Sequence, residues 1–246
     1  MSEALHSLWA RLFPQGHEIT VSGDTLFGSA MTSMGAVHVL GTTQHVAVNS
    51  RIALTLAQHV MHCIEQDQDL DQPRPIVMIA DTQGQELSRR EELLGLNGYF
   101  AHLARCVEGA RLRGHPLVTL IHGEAVSGGF LAFGLLADRI IALPQVEVRV
   151  MDLRAMSRIT RIDYSRLTEL AQVSPVFAPG PENYWRMGGI HEIWTETDNW
   201  AERLTEQFMV SHQDQRPLLG LERKGRLLAA PVAERVIHAA SASTKA

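Results

Sequence analysis

Residues 117–137, Leu-Val-Thr-Leu-Ile-His-Gly-Glu-Ala-Val-Ser-Gly-Gly-Phe-Leu-Ala-Phe-Gly-Leu-Leu-Ala, restrict the fold more than any other stretch of this chain. Leu117 to Ile121 is a short apolar run of buried-strand type. A turn of small residues then delivers Gly128-Gly129, and a second apolar run from Phe130 to Ala137 predicts a buried helix over 128–137. Glycine lets the backbone turn tightly and lets a ligand approach the main chain with no Cβ in the way. The first amides of a helix have no internal partners and lie at the positive end of its dipole. The expected product is a pair of backbone N–H groups able to hold a developing oxyanion. The plainer alternative is that the glycines only permit close strand–helix packing.

The rest of the chain reads as a repeated unit followed by helices. Residues 1–17 hold a short helix, near 4–13, that runs to Pro14. Ile19-Thr20-Val21, Leu26 to Met31 and Ala36 to Leu40 are β-type runs separated by Gly23, Gly35 and Gly41, a meander. Ser50 is expected to cap a helix through Ile64, with Ile52, Leu56, Val60 and Ile64 on one face. Ile76 to Ala80 is a continuous apolar strand that ends in Asp81-Thr82-Gln83-Gly84. Ser88 with Glu91 predicts a capping box for one long helix. Its buried face would carry Leu93, Leu96, Phe100, Leu103, Val107 and Ala110, and Gly114 would stop it. Ile140 to Leu143 and Val146 to Val150 are two more strands. Strand, turn, strand, helix in repeated order predicts an α/β fold, a ββα superhelix over 18–150, with strand ends converging on one cleft. Residues 151–240 predict a helical C-terminal region suited to a subunit interface, with helices near 153–160, 164–172, 198–212, 215–229 and 231–240, and 241–246 a frayed tail.

Composition removes several function classes. At 246 residues and 45% hydrophobic content the chain can bury a full core. A formal net charge of -5, with no run of Lys or Arg longer than two, argues against nucleic acid as a partner. The most apolar window, Ala125 to Ala137, is too short to span a bilayer and is closed off by Glu124, Asp138 and Arg139, so no membrane partner is expected. Cys63 and Cys106 fall in helical patterns and form no Cys-x-x-Cys pair. Met-Ser-Glu-Ala-Leu-His does not read as a signal peptide, so a cytoplasmic setting is expected. The histidines form no metal-ligand constellation; His59 and His62 share a helix face without a suitably placed carboxylate.

Asp81-Thr82-Gln83-Gly84 and Gly123-Glu124-Ala125-Val126-Ser127-Gly128-Gly129, separated by a helix and a strand, resemble the carboxyltransferase branch of the crotonase-like superfamily. Acyl-CoA carboxylase subunits carry a similar Asp-Thr-Pro-Gly turn and a similar Gly-Glu-x-x-Ser-Gly-Gly turn. Within that branch, roughly residues 20–235 look most like the γ subunit of biotin-independent malonate decarboxylase. The Asp-Thr-Gln-Gly-Gln-Glu, His-Gly-Glu-Ala-Val-Ser-Gly-Gly-Phe and Ala-Asp-Arg-Ile blocks carry the match, with Arg216-Pro217-Leu218-Leu219-Gly220-Leu221-Glu222. The resemblance implies a β subunit of the same fold, an active site at the β–γ interface, and no cofactor held by this chain. It also implies a malonyl thioester carried on the phosphoribosyl-dephospho-CoA arm of an acyl carrier protein. In related carboxyltransferases a Gly-Gly-Ala turn offers its amides to biotin. The matching positions here are Gly129 and Phe130, with Gly128 before them. Gln83 stands where proline is expected and Phe130 where alanine is expected, which argues against a biotin pocket.

Loss of CO2 from a malonyl thioester leaves an enolate, so the chemistry asks for charge stabilisation and not for a nucleophile. The resemblance therefore places Gly128, Gly129 and Phe130 in the catalytic role, and Asp81, Gln83, Gly84, Glu124 and Ser127 around the substrate. Asp81 could instead cap a turn and Glu124 could pair within the subunit. Four rivals remain: a biotin-dependent carboxyltransferase subunit, an enoyl-thioester hydratase or isomerase, a serine hydrolase, and a non-catalytic partner. Ala125-Val126-Ser127-Gly128-Gly129 imitates a nucleophile elbow with His122 nearby, although Ala replaces the first elbow glycine.

Overall fold

Two long central strands, each buried throughout its first half, organise the molecule. The structure is a computed structural model describing residues 3–174, 178–209 and 214–243. Helix α1 (Glu3–Leu12) leads into β1 (His17–Ser22), β2 (Thr25–Thr32), β3 (Gly35–Thr42) and β4 (Val46–Val48). Then follow α2 (Ser50–Gln66), β5 (Ile76–Gln85), α3 (Arg89–Leu94), α4 (Leu96–Leu112), β6 (Leu117–Val126) and α5 (Ser127–Leu131). After a 3-10 turn at Gly134–Leu136 come β7 (Arg139–Ala142), β8 (Glu147–Arg149), α6 (Leu153–Thr160) and α7 (Tyr164–Val173). The remaining described elements are α8 (Pro181–Arg186), β9 (Glu192–Ile193), α9 (Trp200–Phe208), α10 (Arg216–Glu222) and α11 (Ala229–Ser243).

The sheet order is β1-β2-β3-β5-β6-β7-β9, with β1 to β3 the antiparallel meander and β3 onward parallel. Ile76 to Ala80 is fully buried, as a parallel strand covered on both faces must be. Beyond Ala80 the register shifts, and the second halves of β5 and β6 take new outer partners. Thr82 pairs with Val46 of β4 and with Ala125 of β6, while Ala125 also pairs with Val148 of β8. Each long strand thus serves two layers, and helices α2, α3–α4 and α5 return the chain to the next one. That is the ββα superhelix, and its bends fall at Asp81 and at Gly123–Glu124.

Several local expectations are corrected. Asn49, not Ser50, caps α2: its Oδ1 accepts from the Ile52 N–H at 3.0 Å, and Ser50 is the first helical residue. The Ser88 hydroxyl accepts from the Glu91 N–H at 3.3 Å, but the Glu91 carboxylate does not return to Ser88. It accepts instead from the Ser50 N–H at 2.7 Å and ties α3 to α2. The long helix is broken at Gly95, whose φ of 73° is left-handed, and Leu93 points away from the core at 79% exposure. The helix expected over 128–137 is only α5 plus the 3-10 turn, because Gly128, Gly129 and Gly134 are poor helix formers. The sequence pattern predicts neither helix α8 nor strand β9. Residues 210–212 of the expected 198–212 helix lie outside the described residues, as do 244–246 of the expected tail; Ser241–Ser243 continue α11.

Candidate functional site

Open parallel sheets present their functional groups at the carboxyl ends of their strands, and here the first-layer halves of β5 and β6 end at the two bends. Asp81 is buried at the first. Its Oδ1 accepts from the Glu124 N–H at 3.1 Å and lies 2.7 Å from His45 Nδ1, while its Oδ2 accepts from the His45 N–H at 3.1 Å. The Asp81 N–H donates to the Thr42 hydroxyl at 3.1 Å. One carboxylate therefore fastens the β3–β4 turn to the β6 bend. A Cβ at position 123 would collide with Asp81 Oδ1, so only glycine fits there. The Glu124 carboxylate is half-buried and lies 3.7 Å from Arg149 Nη2, a pairing within the subunit.

The second half of the site is where α5 meets β5. Thr82 Oγ1 donates to the Val46 carbonyl at 2.7 Å and accepts from the Gly84 N–H at 3.0 Å, which shapes the strand end. Gly84 has a φ of 110°, a conformation L side chains rarely adopt. Gln83 beside it is exposed. Ser127 opens α5 with a φ of 47°, and a Cβ built on Gly84 would lie 3.3 Å from the Ser127 Cβ. A Cβ on Gly129 would lie 2.7 Å from the Gly84 carbonyl carbon and oxygen. The close-packing explanation of the glycine pair therefore holds for Gly129, whatever else it does.

The amides are not all equivalent. Ser127, Gly128 and Gly129 precede the point at which a helical N–H can reach a carbonyl four residues back within α5. Phe130 is the position whose N–H a regular first turn directs to the N-cap carbonyl, that of Val126. The Gly128 N–H donates to Gln85 Oε1 at 3.0 Å. Gln85, one residue beyond the quoted turn, is a site residue the sequence reading missed, as is His45. The Phe130 side chain is buried at 1% exposure and would collide with a Cβ on Gly134. Its bulk fills the core, not the cleft, so its size does not bear on a biotin pocket. Of the two departures from the carboxyltransferase pattern, only Gln83 faces outward.

Burial lowers the His122 pKa, and His45 lowers it further, against the opposing pull of Asp81. Among the described residues no hydrogen bond joins Ser127 to His122, so the elbow-like turn has no base in place. Cys63 is buried, and burial pushes its thiol up to about 12, which leaves it unreactive. Among the described residues no group of three or more His, Cys, Asp or Glu could hold a metal ion, and no helix is long and apolar enough to cross a membrane.

Comparison with known proteins identifies the family and the fold. Residues 42–240 match the family model described as malonate decarboxylase gamma subunit. A Malonomonas rubra protein, a malonyl-S-ACP:biotin-protein carboxyltransferase, is 38% identical over 148 residues, 58% of this chain. The aligned part is 51% of that relative, so the chain spans about half the length of the curated protein it matches. A Pseudomonas malonate decarboxylase hetero-tetramer in complex with coenzyme A superposes with a TM-score of 0.80 at 24% identity, covering 96% of this chain and 99% of that one. The hetero-dimer of the Pseudomonas MdcD and MdcE subunits gives 0.74 at 25% identity, with coverage of 96% and 99%. Transcarboxylase 12S gives 0.68 at 16% identity over 82% of this chain and 40% of that one. The fold is therefore crotonase-like, shared with these decarboxylases and carboxyltransferases. With four-fifths of its length inside the matching model, this chain belongs to the malonate decarboxylase gamma subunit family.

Proposed function

We propose that this chain works with a β subunit of the same fold to convert malonyl-S-acyl carrier protein into acetyl-S-acyl carrier protein and CO2. The observation that carries the reading is the family match over residues 42–240, which includes both strand-end turns. The C–C bond to the carboxylate breaks, CO2 leaves, and the electron pair moves onto the thioester as an enolate that must then take a proton. The rate depends on stabilising that oxygen, and one backbone donor in such a hole is worth on the order of 100- to 1,000-fold in kcat. In this reading Gly128 and Gly129 supply amides to the shared cleft, and Phe130 anchors the turn from the core. Gly84 and Ser127 shape the floor. Asp81 and Glu124 act by holding the bend, and Gln83 faces the incoming thioester. The substrate arrives on the phosphoribosyl-dephospho-CoA arm of the carrier, in the cytoplasm, and this chain holds no cofactor of its own.

The experiment is co-expression with a β-type partner, with malonyl carrier protein as substrate. The complex should release CO2 and form the acetyl thioester, and the isolated chain should do so poorly. A second reading, a carboxyltransferase subunit, is favoured by the Malonomonas relative, whose name includes transfer to a biotin protein. It would prevail if the complex released no CO2 and instead carboxylated a biotinylated acceptor.

A further inference from the structure

We infer that His45, oriented by Asp81, delivers the proton that the α-carbon takes up after CO2 has left. This rests on the decarboxylase reading above.

The first support is where the histidine stands. Gln44 and His45 occupy the tight turn between β3 and β4 with φ of 64° and 50°, both left-handed. Turns with two such residues are ordinarily built from Asn, Asp and Gly, since other side chains are disfavoured there. Histidine is one of the few side chains enriched at positive φ, whereas Gln44 is not, and strained residues of this kind gather at functional sites.

The second support is how the ring is held. Asp81 grips it twice, through the backbone N–H at 3.1 Å and through Nδ1 at 2.7 Å. The carboxylate is buried, with a side chain only 7% exposed, whereas the His45 side chain is 59% exposed. Nδ1 is thereby committed inward, and among the described residues Nε2 has no hydrogen-bond partner. A buried carboxylate behind an imidazole fixes its tautomer and orientation, the arrangement used by acid–base histidines. A Cβ on Gly123 would lie 3.0 Å from His45 Cε1, so the ring lies against Gly123, at the β6 bend that precedes the α5 turn. Burial lowers the pKa of His122, the neighbouring imidazole, against the opposing pull of Asp81.

The step balances simply. The enolate α-carbon takes the proton from His45 Nε2, the new C–H bond forms, the thioester carbonyl is restored, and the neutral imidazole regains a proton from water. Run backwards, the same groups exchange the methyl protons of an acetyl thioester with solvent.

The test uses the complex with its β partner and reads two rates, CO2 release from malonyl carrier protein and deuterium uptake from D2O into the methyl group of acetyl-CoA. The variant is His45→Gly, because glycine favours the left-handed conformation and the turn should still fold. Acid–base groups contribute on the order of 100- to 10,000-fold. Exchange should fall by at least about 100-fold in the variant and recover with added imidazole. Exchange at the wild-type rate overturns the inference and leaves the decarboxylase reading standing. So does an exchange loss that imidazole fails to rescue in a variant whose circular dichroism matches wild type. A wild-type complex that releases no CO2 removes both.

Discussion

Gly129 lies against Gly84 so closely that one added methyl group would sit 2.7 Å from the Gly84 carbonyl carbon and oxygen and 2.8 Å from Thr82 Oγ1. The first contact is backbone near the end of β5, paired there with Ala47 of β4, so it cannot swing aside as a side chain could. Gly129→Ala should therefore destabilise the chain by about 1–3 kcal/mol, the usual cost of overpacking. Ser127→Ala, at the half-buried start of the same turn, should change stability by less than about 0.5 kcal/mol. Urea unfolding midpoints of the two variants compare them directly, and equal midpoints would mean that α5 and β5 are free to separate.

Gln85 occupies the Gly128 N–H with its side-chain oxygen at 3.0 Å. A substrate oxygen that uses this amide has to displace it. Removing the competitor in Gln85→Ala should raise kcat/KM of the β–γ complex by about 2- to 10-fold, the equivalent of one net hydrogen bond. A fall in kcat/KM would show instead that the Gln85 amide group itself holds the substrate.

The parts of this molecule legible in the sequence were those set by local apolar pattern. Ile76–Ala80 and Leu117–Ile121 read as buried strands because they carry no charge and at most one small polar residue, Thr119, and both are central. What did not read locally was fixed by partners distant in the chain. Glu91 carries the signature of a capping box, yet its carboxylate serves Ser50, 41 residues away. Gln85 lies within a motif block and His45 36 residues before Asp81, and both become site residues only when β5 bends beside α5 and the β3–β4 turn folds over Gly123. Phe130 shows the opposite failure. Its place in the motif suggested a cleft residue, and the short helix turns its ring into the core.

Ser127 opens a strand-to-helix turn with a φ of 47°, the geometry of a serine nucleophile, but has no histidine hydrogen-bonded to it among the described residues. Ser127→Ala should keep CO2 release within a few-fold of wild type. A loss of a thousand-fold or more, on the scale of an ablated nucleophile, would revive the hydrolase reading.

His191 gives the fold a pH dependence whose sign can be worked out. It is buried, its Nδ1 accepts from the Ile140 N–H at 3.0 Å, and its pKa is pushed down to about 3. Burial is the main cause, Arg139, Arg216 and Arg223 add to it, and Asp214 opposes it. In the unfolded chain the same imidazole titrates near the usual value of about 6.5. The unfolded state therefore binds the proton first as pH falls. The stabilisation is fully present above about pH 6.5 and is lost on the way down towards pH 3, by up to about 1.4 kcal/mol per pH unit. Asp67 acts in a lower window. Burial would raise its carboxyl, but hydrogen bonds from Arg74, with His38 nearby, hold it below the ordinary carboxylate range. Its contribution is present above about pH 3.9 and fades only below that. Between pH 7.5 and 5 the slope of unfolding free energy should thus carry a large His191 share. His191→Asn, whose side-chain oxygen can still accept from Ile140, should be less steep over that range than wild type. Parallel curves for the two proteins would mean that the imidazole takes up its proton without leaving the core.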